Sequence, residues 1–92
     1  MNRKSAYDNL LHEICVGLGW CGSVDDSGSR HVDDYIPDTG SVTAEQFADW
    51  VLAADGEDQV VDPEKWQTAK DRLRDAFIRH MGGSVVDAGR LK

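Results

Sequence analysis

Apolar residues recur at spacings of three and four in three stretches of the chain, and that period separates the helical parts from the rest. In the first stretch, Tyr7, Leu10, Leu11, Ile14, Cys15 and Leu18 fall on one stripe, as in an amphipathic helix. Ser5 supplies a start signal with Asp8 three residues on: the serine oxygen accepts a backbone N–H, and the acid favours the positive helix end. Gly17 and Gly19 stop the pattern, which predicts a helix over 5–18.

The second stripe is Ala44, Phe47, Trp50, Val51 and Ala54. Thr43 and Gln46 before it form a capping box, and Val42 and Phe47 a hydrophobic staple. Asp55-Gly56 closes this helix, predicted over 44–54. The third stripe is Trp66, Ala69, Leu73, Ala76, Phe77, His80 and Met81. Asp62 caps it with Pro63 in the first helical position, Val61 and Trp66 repeat the staple, and Gly82-Gly83 ends a helix over 63–81.

Residues 19–42 carry no such period. DDSGS (25–29) and IPDTG (36–40) are turn signals. HVDDYI between them reads as one helical turn or an extended piece. WCGSV (20–24) reads as a short strand that pairs near Val32 or with the C-terminal tail, where Val85 and Val86 tuck against the helices. The expected fold is therefore all-α: a single domain over 1–92, with three helices, an irregular acidic connection over 19–42 and room for one short β pairing. Its expected core is Leu10, Leu11, Ile14, Phe47, Trp50, Val51, Trp66, Leu73 and Phe77. Leu52 falls off the second stripe, exposed or against the tail.

Charge changes the picture in the middle of the chain. The net charge is −7. Between Asp25 and Asp62 stand eleven acids against one base, Arg30, so the remainder is basic by three. Such a segment repels nucleic-acid phosphates and anionic membranes and favours a basic protein surface. Two cysteines are too few for a disulfide scaffold. With no apolar N-terminal run in view, the expectation is a bacterial-type cytoplasmic protein with reduced thiols, off the membrane.

Candidate chemistry is sparse. GLGWCG (17–22) matches G-x-G-x-x-G, but a dinucleotide turn needs a strand before it and a helix N-terminus after it. Here a helix precedes it, so the glycines read as a helix end. His12, Cys15, Cys21 and His31 are four zinc-type ligands within twenty residues, although their spacing fits no common zinc pattern. Cys15 on the apolar stripe also reads as a small hydrophobe. EF-hand frames starting at Asp25 or Asp55 fail at the glycine and bidentate-acid positions. Ser23, Ser27, Ser29, His31, Asp33 and Asp34 share one loop without a motif that would hold nucleophile and base together. No enzyme activity and no cofactor are expected. Lys65, Arg72 and Arg79 line one flank of the third helix, as in a helix-turn-helix reader, but seven residues (55–61) stand between the second helix and the Asp62 cap of the third, and the chain is acidic.

These observations lead to a small acidic protein-binding module, a regulator or inhibitor of the physical character of antiactivators, immunity proteins and antitoxins. It docks an acidic, aromatic-dotted face on a basic surface of another protein. The expected contact residues are Trp20, Asp25, Asp26, Asp33, Asp34, Tyr35 and Asp38, with Ile36 and Trp50 as further anchors. The bland counterpart is a solvated acidic face. The other readings are a ligand- or metal-holding domain built on the Cys/His group over 12–31 and a helix-turn-helix relative that associates with DNA. Direct nucleic-acid binding runs against the charge, and oligomeric state is not encoded in any pattern here.

Overall fold

The computed structural model describes residues 3–20, 24, 31–55 and 62–91. Among them the chain forms α1 (Arg3–Leu18), a 3₁₀ turn (Val32–Tyr35), β1 (Ser41–Thr43), α2 (Ala44–Ala54), α3 (Pro63–Met81), β2 (Val85–Asp87) and a second 3₁₀ turn (Ala88–Arg90). The fold is a small three-helix domain with one short antiparallel pairing.

The two later helices start as their caps dictate. Thr43 Oγ1 accepts the Gln46 N–H at 3.0 Å, and Gln46 Oε1 accepts the Thr43 N–H at 3.0 Å. Asp62 Oδ1 accepts from the Glu64 and Lys65 amides. Gly82 ends α3 in the left-handed region at φ +80°, where a side chain is strained. Helix α1 begins at Arg3, so Ser5 lies inside its first turns rather than opening it. At its far end Gly19 turns at φ +89°, and the Trp20 N–H reaches back to the Ile14 carbonyl at 3.0 Å. Gly17 is still helical, so the first two glycines of GLGWCG end a helix and follow no strand. Gly22 lies outside the described residues.

The pairing is between the tail and the residues just before α2. Val42 faces Val86, with Ser41 opposite Asp87 and Thr43 opposite Val85. Bonds from Ala44 N–H to Ser84 O and from Ala88 N–H to Gly40 O extend the ladder at both ends. Trp20 is in no strand and Val24 is helical. Residues 21–23 lie outside the description. The tail pairs with 41–43 because Val42 and Val86 are the inward-facing members of the two triplets. Both are buried, while Val85 points out at 57% exposure.

One core joins all elements. Tyr7, Leu10 and Ile14 of α1 meet Phe47, Ala48, Val51 and Leu52 of α2 and Leu73, Ala76 and Phe77 of α3. The Phe47 and Phe77 rings lie 5.2 Å apart, and Tyr7 meets Phe47 edge-on at 6.4 Å. Leu11, Trp50 and Trp66, expected inside, sit only partly buried at the margin. Leu52 is fully inside because α2 is covered on two sides, by α3 and by the first 3₁₀ turn with β1. The second 3₁₀ turn packs on α1 and carries Ala88 and Leu91 into the core. Among the described residues no helix is long and apolar enough to cross a membrane.

Candidate functional site: an acidic turn held from inside

The centre of the acidic connection is a structured turn. Val32 and Ile36 are buried and fix both ends of the 3₁₀ segment. His31 caps it: its Nδ1 accepts the Asp33 N–H at 3.1 Å, while the His31 N–H donates to Asp34 Oδ2 at 3.1 Å. His31 Nε2 contacts the Val24 carbonyl. A carbonyl only accepts, so Nε2 is the donor there, while Nδ1 faces the Asp33 amide. Tyr7 donates its hydroxyl to Asp33 Oδ1 at 2.5 Å. Burial, then this bond to a carboxylate, pushes the Tyr7 hydroxyl pKa well above the ordinary phenol range. The turn is thus bolted to α1 through a buried phenol.

This arrangement sorts the expected contact residues. Asp34 and Asp38 are exposed, and Asp33 and Tyr35 are half-buried. Ile36 is inside, and Trp20 is 9% exposed and part of the core. An apolar indole at a helix end finds more contact inward than a polar turn can offer it in water. Ile36 therefore holds the face from beneath, Trp20 belongs to the core at the end of α1, and Trp50 is half-buried. Asp25 and Asp26 lie outside the described residues, as do Ser23, Ser27 and Ser29.

Among the described residues the Cys/His group does not assemble. Cys15 is disulfide-bonded, and Cys21, itself outside the described residues, is the sequence's one other cysteine. This overturns the expectation of reduced thiols, which rested on the count of cysteines alone. A sulfur in a disulfide is no thiolate ligand. His31 spends both ring nitrogens on the backbone, and His12 is exposed on α1. Among the described residues no three His, Cys, Asp or Glu are grouped to hold a metal.

The bases of α3 are mostly spoken for. Arg79 forks onto Glu13 of α1 at 2.6 and 3.1 Å and reaches Asp75 at 2.9 Å. Its hydrogen bonds to Glu13 and Asp75 raise the guanidinium pKa further. His80 Nε2 adds a contact to Glu13 at 3.1 Å. The Arg79 and His80 hydrogen bonds hold the Glu13 carboxyl below its usual range. Lys70, 7% exposed, places Nζ 3.0 Å from both Glu45 and Asp49 of α2, and 5.0 Å from the Trp66 ring centre. Burial alone would lower the Lys70 pKa, but the two carboxylates outweigh it and the net shift is upward. No periodicity marked Lys70; a lysine inside an otherwise apolar face, i, i+4 from Trp66, was the available signal. A recognition helix built on Lys65, Arg72 and Arg79 loses one of its three cations to Glu13 and Asp75.

Comparison of the chain with protein-family models, with curated proteins and with solved structures gave no match.

Proposed function

We propose that this protein is a non-catalytic protein-binding module that docks the acidic turn on a basic surface of a larger protein and so regulates or inhibits it. One observation carries the reading: the turn that displays Asp34, Tyr35 and Asp38 is fixed from beneath by buried Val32 and Ile36, the His31 cap and the Tyr7–Asp33 bond. A solvated acidic stretch needs no such support. A docking face benefits from it, because side chains and backbone ordered beforehand lose less entropy on association. Acids then steer the encounter, and the half-buried Tyr35 provides an amphipathic anchor. The disulfide at Cys15 favours an oxidising setting over the reducing cytoplasm expected from the sequence.

The test is capture from the native host with the wild-type chain and with an Asp34→Asn, Asp38→Asn variant. The expected result is a basic protein retained by the wild type and lost by the variant, with an association rate that falls steeply as salt is added. A partner held equally by both proteins, or an on-rate indifferent to salt, sinks the proposal.

A further inference from the structure

Helix α3 carries five bases, Lys65, Lys70, Arg72, Arg74 and Arg79. Lys70, Arg74 and Arg79 are paired with acids. Lys65 and Arg72 are exposed, and no acid among the described residues pairs with either, in a chain where acids outnumber bases 17 to 10. Both line one groove of about 380 Å³ with Trp20, Glu64, Thr68 and Ala69. Positions 65, 68, 69 and 72 follow the three-four spacing of one helix face. At 1.5 Å per residue the two cations stand about 10 Å apart along the axis. Between them lie Thr68 and Ala69, and Trp20, whose backbone is tied to Ile14, completes the lining.

We propose that this groove binds an acidic peptide in extended conformation, with carboxylates three residues apart on Lys65 and Arg72 and an apolar side chain between them over Ala69 and against Trp20. In a polyproline II chain, residues three apart lie on the same side about 9 Å apart, within reach of two long cationic side chains. Glu64 lines the same groove, which disfavours the unbroken charge of a nucleic-acid backbone but not a peptide with neutral residues between its acids. A second copy of this chain brings its own −7 charge, and net repulsion opposes it. The groove is opposite in sign to the acidic turn and built from other elements, so the proposal stands or falls independently of that one.

The test uses the full chain, isotope-labelled, titrated at low salt with acetyl-Glu-Pro-Leu-Glu-amide and with its Gln-Pro-Leu-Gln counterpart. Backbone and indole shifts are expected to cluster on Trp20, Lys65, Thr68, Ala69 and Arg72. The glutamine peptide, and a Lys65→Gln, Arg72→Gln variant, are each expected to bind about tenfold more weakly, the sum of two exposed charge pairs. Because both side chains are exposed, the variant should keep its thermal midpoint, and Lys65→Arg, Arg72→Lys should restore binding. Equal binding of the glutamine peptide, or shifts centred elsewhere, overturns the proposal. So does a single-stranded oligonucleotide that occupies the groove more tightly than the peptide, or self-association that the glutamine variant abolishes.

Discussion

Helix α3 makes two seams, and they handle charge in opposite ways. Against α2 the seam is aromatic at its centre, where Phe47 meets Phe77, and it encloses a cation: Lys70 is buried with its ammonium between Glu45 and Asp49. Against α1 the ions sit on the rim, where Glu13 takes Arg79 and His80 in partial contact with solvent. The buried cation is tolerated because both acceptors and the Trp66 face replace its water. The rim pair is cheaper to form and worth less, since solvent and salt screen it. Ion pairs on one helix therefore carry different weight, according to whether the neighbouring surface is closed.

The comparison yields predictions of decreasing size. Phe77→Ala removes the ring shared by the core and should destabilise by about 3–5 kcal/mol, seen as a lower denaturation midpoint with unchanged slope. A loss under about 1 kcal/mol would mean that the aromatic centre does not hold the α2 seam. Tyr7→Phe, on the α1 side, keeps the ring and deletes the bond to Asp33. It should cost about 1–3 kcal/mol, and much of that should vanish in an Asp33→Asn background, where the carboxylate no longer needs a donor. Equal cost in both backgrounds would separate the turn from α1.

The smallest effect is the acid response of the rim. Glu13 has a folded-state pKa below its ordinary value of 4.5. Its contribution is therefore complete above that value and is lost as pH falls through the depressed folded pKa. Glu13→Gln should flatten the stability profile in that acid range and leave the neutral range nearly unchanged. A profile identical to wild type would show that the rim ions contribute nothing. Lys70, whose pKa is raised, behaves oppositely, with its contribution present at neutral pH and lost only in strong base.

Much of the backbone was readable from local signals. The second and third helices begin and end at Thr43, Asp55, Asp62 and Gly82 because caps and breakers are short-range chemistry that needs no knowledge of the fold. The first helix lacked so decisive a cap and was misplaced by two residues. Pairing of 41–43 with 85–87 was not readable, since two triplets this short say nothing about each other across two helices. The same limit hid Lys70: its acceptors, Glu45 and Asp49, lie on another helix. For the candidate site, the acids and Tyr35 were visible in the sequence. Their support was not, because Tyr7 looked like a core aromatic and His31 like a candidate ligand. The inward position of Trp20 likewise depended on where the helix end would point it.

The ladder between β1 and β2 has a kinetic meaning. Val42 and Val86 stand on either side of α2 and α3 in the chain, so their meeting closes a loop that contains both helices. Contacts so distant in sequence are paid for in loop entropy before they return anything. Helices and caps can assemble locally and quickly; the strand pairing closes last. The amides of Ala44 and Ala88, which bond across that closure, should gain protection from hydrogen exchange after those inside α2 and α3, as a latch engages once the lid is already down.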